Sequence, residues 1–262
     1  MQLDVNGHAV YCYTNSRAID PSKPSVLFIH GAGMDHTVWT LASRHFARHG
    51  NNVVSVDLPG HGRSGGPPLA SVEAMAEWVI SVIDALLIDQ VALVGHSLGS
   101  LIALECAASQ PDRVRTIALV GTTSPMPVSD AILDAAEADD HAAFDMLTQW
   151  GFSKRHQFGG NRNSGIWMIG NTLRLYERSR PGVLFHDMRA CNAYTAGLAQ
   201  AARVRCPTLL ILGAEDRLTP VRSTRALQEA IPSPQIKVLP GAGHTIMVEA
   251  PNAMLDALHS VL

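Results

Sequence analysis

The chain carries little charge: 16% of its 262 residues are charged, and 20 Lys+Arg stand against 23 Asp+Glu. Without a basic excess there is no electrostatic footprint for a nucleic-acid backbone or a polybasic membrane anchor. Cysteine is scarce as well. Cys12, Cys106, Cys191 and Cys206 lie far apart and form no Cys-x-x-Cys pair, which excludes a disulfide scaffold or a thiolate zinc centre and fits reduced thiols in a cytosol. No apolar run approaches the roughly 20 residues of a membrane span. The opening Met1 to Gly7 has neither the basic start nor the apolar stretch of a secretory leader, so a soluble cytoplasmic protein is expected. No phosphate-binding glycine loop of the Walker or dinucleotide type is in place, so no nucleotide cofactor, and no cofactor of any other kind, is expected. What the chain does have is apolar residues, 47% of the total. That excludes disorder and supports one large core, with or without an insertion.

These apolar residues are grouped. A short hairpin is expected at Leu3–Val5 and Val10–Tyr13 around Asn6-Gly7, a dipeptide suited to positive φ. Val26–Ile29, Val53–Val56, Val91–Val94, Ile117–Val120 and Leu209–Leu212 are continuous apolar runs, each followed by Gly, His or Asp. Continuous apolarity is what a strand covered on both faces requires, so these are central strands of a parallel sheet. Helical stretches separate them at His36–Arg48, Ser71–Leu87, Leu98–Ser109 and Pro220–Ala230. A strand at Gln235–Leu239 and a helix at Pro251–Leu262 close the chain. The alternation predicts a doubly wound, mostly parallel α/β sheet.

Residues 122–203 break the rhythm. They hold helical pieces at Asp130–Trp150, Ile166–Glu177 and Val183–Ala201, and eight of the fourteen aromatic residues. An insertion after the sixth strand sits above the carboxyl ends of the strands, where open α/β sheets bind ligands. The expected organisation is therefore a core of residues 1–121 and 204–262 under a helical cap of 122–203. Trp150 and Trp167 in the cap, together with Ile246, are the candidate substrate-binding residues.

The most informative segment is Val91-Ala92-Leu93-Val94-Gly95-His96-Ser97-Leu98-Gly99, a buried strand entering a helix through Gly-x-Ser-x-Gly. A serine on such a turn exposes its hydroxyl, and the glycines remove side chains that would collide across the bend. Its base and acid are sought past later strands. Asp216 follows Leu209–Leu212 and His244 follows the next strand, giving the chain order Ser97, Asp216, His244. Glu215 is the rival acid; Asp216 is favoured because its shorter side chain lies deeper in the loop. An oxyanion hole is expected from the backbone N–H of Leu98 and one from His30-Gly31-Ala32-Gly33, with Ala32 the first choice and Gly33 the second. His30, at the buried end of a strand, is expected to make structural hydrogen bonds.

With these segments, and with Asp57-Leu58-Pro59-Gly60-His61-Gly62-Arg63-Ser64, the chain resembles a serine-type member of the α/β-hydrolase fold superfamily over nearly its whole length. Ser97 disfavours the haloalkane dehalogenase and epoxide hydrolase branches, whose pattern places Asp there. The resemblance implies hydrolysis of a small, largely apolar carboxylic ester, lactone or thioester through an acyl-enzyme. Carbon–carbon hydrolysis of a vinylogous diketone, cofactor-free perhydrolysis and a slow-turnover receptor are the alternatives. The expected partner is a small acyl substrate, with no nucleic acid and no membrane, and self-association is left open. His45 and His49 lack the further ligands of a metal site, so no metal is expected. The cap separates its charge, with six acids and no bases in Asp130–Asp145 against seven bases and two acids in Lys154–Arg189. Arg162, Arg174 or Arg189 is a candidate to meet a substrate carboxylate.

Overall fold

The computed structural model describes residues 1–160 and 166–262. In chain order it runs β1 (Gln2–Val5), β2 (His8–Tyr13), β3 (Ser25–Ile29), α1 (Thr40–Arg48), β4 (Asn52–Val56), α2 (Val72–Ala85), β5 (Val91–His96), α3 (Leu98–Ser109) and β6 (Val114–Val120). Then come α4 (Asp130–Glu137), α5 (His141–Gly151), α6 (Lys154–Gln157), α7 (Met168–Glu177), α8 (Val183–Ala193) and α9 (Gly197–Ala201). The chain returns through β7 (Thr208–Gly213), α10 (Arg225–Ala230), β8 (Gln235–Leu239), α11 (Ile246–Glu249) and α12 (Pro251–Leu258).

The eight strands form one sheet in the order β1-β2-β4-β3-β5-β6-β7-β8. The β1–β2 and β2–β4 pairs are antiparallel, and every pair from β4–β3 through to β7–β8 is parallel. Both faces are covered, which is why β3, β4, β5 and β7 are apolar without alternation and buried throughout. Neighbouring residues of one strand feed opposite cores. Leu27 and Ile29 pack with α2 and α3 residues such as Val79 and Leu101, while Val26 and Phe28 pack with Trp39, Phe46, Met254 and Leu258 from the α1 and α12 side. This is the doubly wound α/β-hydrolase arrangement.

Two expected helices are each divided in two. The stretch 130–150 breaks after α4, where Asp139 takes φ 50° and Asp140 turns its carboxylate back to accept the Ala142 N–H at 2.9 Å, starting α5. The acidic pair Asp139-Asp140 is a C-terminal turn followed by an N-cap. The stretch 183–201 breaks at Tyr194, whose hydroxyl donates to the buried Glu105 carboxylate at 2.6 Å. Tertiary hydrogen bonding overrides continuation of the helix there. No helix among the described residues is long and apolar enough to cross a membrane.

Candidate active site

Strand β5 ends at His96, and Ser97 forms the turn into α3 with φ 52° and ψ −118°, a backbone conformation that L-residues rarely adopt. The two flanking glycines make this turn sterically accessible. A Cβ on Gly95 would lie 2.0 Å from the Gly99 carbonyl oxygen, and one on Gly99 would lie 2.4 Å from the Ile29 carbonyl oxygen. The motif is thus a packing requirement: α3 starts in contact with the end of β3.

Beside Ser97, the loops after β7 and β8 bring Asp216 and His244 together. The His244 Nδ1–H donates to Asp216 Oδ2 at 2.8 Å, which fixes the tautomer and leaves Nε2 as the basic nitrogen. Glu215, one residue earlier, is exposed. Asp216 is held by Thr219, a residue the sequence reading did not single out: its N–H donates to Oδ1 at 2.8 Å and its hydroxyl to Oδ2 at 2.7 Å. The Leu218 N–H adds a third donor at 2.9 Å. Burial opposes ionisation of Asp216, yet the facing His244 and these hydrogen bonds bring its pKa down to about 2. Asp-x-x-Thr just past a strand is the local pattern that would have identified Thr219. His96 donates Nε2–H to the His244 carbonyl at 3.1 Å, and full burial depresses its pKa to about 3, so it braces the loop as a neutral ring.

On the opposite side lies the loop after β3. His30, fully buried, donates Nδ1–H to the Gly31 carbonyl at 2.9 Å and accepts the Leu58 N–H on Nε2 at 3.1 Å. The Gly33 N–H is committed to Asp187 at 2.8 Å, whereas the N–H groups of Ala32 and Leu98 donate to no described residue. Of the two glycine-loop candidates, Ala32 is therefore the one whose donor is free among the described residues.

Ser97, His244 and Ala32 line a cavity of about 200 Å³ with Met34, Met126, Leu147, Trp150 and Met188. Trp167 and Ile246 do not line it. Trp167 precedes α7 on the outer surface, 67% exposed, with its ring lying over Gly170. Ile246 opens α11 and faces away from the cavity into the core with Trp39 and Met254. Arg174 pairs with Glu177, and Arg189 lies over the Phe185 ring at 5.9 Å. Neither reaches the cavity, and Arg162 falls outside the described residues. Among the described residues, the arginine that does line it is Arg217, next to Asp216.

The helices α4–α9 are tied to these loops. The His244 and Thr245 N–H groups donate to the Gly151 carbonyl at 2.8 and 3.2 Å. Buried Glu249 accepts from the N–H groups of Gly243 (3.0 Å) and Ser153 (2.9 Å) and pairs with His156 at 2.9 Å. Asp35, His36 and Asp57 place ligand-type atoms within 4.8 Å of one another. Asp57 accepts from His36 N and Nδ1 and from Arg63 N, and Asp35 accepts from Thr37 and Arg178. The three residues thus share a hydrogen-bonded network that links the loops after β3 and β4.

Sequence comparison matches residues 26–257 to the family described as "Alpha/beta hydrolase family". A pimeloyl-[acyl-carrier protein] methyl ester esterase from Chromobacterium violaceum is 32% identical over 231 residues, covering 84% of this chain and 87% of that protein. An (E)-2-((N-methylformamido)methylene)succinate hydrolase from Acinetobacter baylyi is 26% identical over 247 residues, covering 92% and 90%. Among solved structures, the enol-lactonase from Burkholderia xenovorans LB400 superposes with a TM-score of 0.87 at 19% identity, covering 100% of this chain and 99% of that one, a likeness of fold. The chain belongs to the alpha/beta hydrolase family and is a hydrolase.

Proposed function

We propose that the chain is a serine hydrolase of small, largely apolar carboxylic esters, lactones or thioesters, with residues 122–203 as a cap over the site. The observation that carries this reading is Ser97 on its left-handed turn, opening into the same cavity as a His244 whose Nδ1 is held by Asp216. In this mechanism the His244 Nε2 removes the Ser97 hydroxyl proton as the oxygen attacks the acyl carbon. Asp216 stays ionised and stabilises the imidazolium. The oxyanion of the tetrahedral intermediate accepts from the Ala32 and Leu98 N–H groups, and Leu98 at the start of α3 adds the positive end of the helix dipole. His244 then donates its proton to the leaving oxygen or sulfur, and water activated by the same nitrogen cleaves the acyl-enzyme. A cavity of about 200 Å³ with thioether, indole and aliphatic walls suits a compact apolar acyl group. Four free cysteines, three of them buried, support a reducing cytoplasmic location.

Hydrolysis of a panel of short-chain p-nitrophenyl esters and lactones tests the reading, together with labelling by a fluorophosphonate. Ser97→Ala should lower kcat by at least about 10⁴-fold and abolish labelling. A Ser97→Ala protein that turns over like wild type would refute the mechanism.

A further inference from the structure

Asp187, on α8, has no exposed surface, although aspartate is seldom fully buried without a task. Its Oδ2 accepts the Gly33 N–H at 2.8 Å and faces His61 Nε2 at 2.8 Å. The other ring nitrogen of His61 faces the Pro59 carbonyl at 3.0 Å. A carbonyl oxygen and a carboxylate oxygen both only accept, so both ring nitrogens of His61 donate and the ring is an imidazolium. Its neighbour His30, with ring centroids 4.8 Å apart, accepts on Nε2 and is therefore neutral. The charged or titratable groups around His61 are Asp187, Asp57 and His30. A buried ion pair of this kind gains little stability over apolar packing. Here Asp187 Oδ1 also lacks a partner among the described residues. The pair is costly, and it stands at the residue after Ala32.

The geometry assigns Asp187 as a positioning residue for the oxyanion hole, an inference that rests on the proposed role of Ala32. Two consecutive peptide planes of the loop are clamped. The Gly31 carbonyl accepts from His30 Nδ1 at 2.9 Å and from the Met34 N–H at 3.2 Å. Because the peptide is planar and trans, the Ala32 N–H in that plane points the opposite way, and Ala32 lines the cavity. The next plane is clamped through the Gly33 N–H by Asp187, and His61 holds that carboxylate in place. Gly33 itself has φ 65°, and a Cβ there would lie 2.9 Å from Leu184 Cδ1 and 3.2 Å from the Tyr176 ring, so the loop is pressed beneath α7 and α8. The cap therefore orients a donor of the catalytic site as well as covering it.

The test compares wild type with Asp187→Ala and Asp187→Asn, each checked for folding by circular dichroism, on a p-nitrophenyl ester. A trifluoromethyl ketone, which forms a tetrahedral oxyanion on serine, and the corresponding methyl ketone are measured as inhibitors. Asp187→Ala should lower kcat about 100-fold with KM within about threefold. Trifluoromethyl ketone affinity should fall by the same factor, and methyl ketone affinity should hold. In Asp187→Asn an amide oxygen at the Oδ2 position still accepts from Gly33 and faces His61 Nε2, the NH₂ takes the Oδ1 position, and the charge that pairs with the imidazolium is lost. The loss in this variant should be about fivefold, in parallel for kcat and the trifluoromethyl ketone. A folded variant that loses kcat without losing trifluoromethyl ketone affinity, or one that keeps both, overturns the inference; if Asp187→Ala does not fold, Asp187→Asn decides by the same criterion. A wild-type protein inert toward every ester and toward fluorophosphonate would instead refute the proposed function.

Discussion

The residues around Ser97 are constrained by contacts of a few ångströms. Gly99 has its Cα against the end of β3, and an added methyl would meet the Ile29 and His30 carbonyl oxygens at 2.4 and 2.6 Å. Neither oxygen can retreat without moving a central strand. Gly99→Ala should therefore destabilise the fold by about 2–4 kcal/mol, read from urea unfolding, and lower kcat, because His30 begins the loop proposed to carry the oxyanion donor. The matching constraint on Gly95 acts within the turn, against the Gly99 carbonyl oxygen, and is legible as a local pattern; the one on Gly99 acts against a distant strand and shows in sequence only through the residue type it demands. Thr219, like Gly95, acts at short range, three residues from the Asp216 carboxylate it holds. Trp167 and Ile246 illustrate the converse. Residue type suggests apolar contact for both, but only packing decides whether that contact is with a cavity, a glycine on the outer surface or the core.

At the scale of elements, two buried carboxylates join the helical segment to the sheet loops, one on each side of Ser97. Asp187 reaches from α8 to the loop after β3, and Glu249 reaches from α11 to the backbone before α6. Glu249→Ala would leave the Gly243 and Ser153 N–H groups buried without an acceptor and release His156. The expected loss is about 3 kcal/mol, with Glu249→Gln, which keeps an acceptor, losing about a third of that. Urea unfolding gives the magnitude, and hydrogen exchange at Gly243 and Ser153 should accelerate in the alanine variant. These ties were not legible beforehand because their partners are distant: Gly33 and Asp187 are 154 positions apart. The helix pattern itself was legible where both caps were local. Leu98–Ser109 begins and ends as expected, whereas the Asp139-Asp140 break depends on a turn that the helical periodicity of its neighbours conceals.

For the whole molecule, the buried histidines set a stability profile with two arms. His30 and His96 are neutral in the fold, with pKa values lowered by burial to about 4 and about 3 from an ordinary 6.5. Below pH 6.5 the unfolded chain takes up protons that the fold refuses, so stability falls as pH drops from 6.5 towards those values. His61 has the opposite sign. Burial works against its charge, but Asp187 and the Pro59 carbonyl raise its pKa above the ordinary value. Its contribution is complete below pH 6.5 and is lost as pH rises through the raised pKa. Urea midpoints measured across pH 4 to 9 should therefore pass through a maximum, and Asp187→Asn should remove the alkaline arm while leaving the acid arm. A profile that is flat on the acid side would contradict neutral burial of His30 and His96.

The amino-acid sequence by itself determined the layered sheet, because continuous apolar runs can only be buried on both faces. It also determined the Ser97 turn, because Gly95 is required within the turn itself by the Gly99 carbonyl, and the loops that carry Asp216 and His244. Tertiary structure alone decided that the acid facing His244 is Asp216 and that the Gly33 N–H is taken while the Ala32 N–H donates to no described residue. It alone decided that Arg217 lines the cavity and that Arg174 and Arg189 do not. The physical reason is range. Backbone conformation and hydrophobic periodicity are encoded over a few residues, whereas the direction of a single N–H or carboxylate depends on partners that only the folded chain brings within about 3 Å.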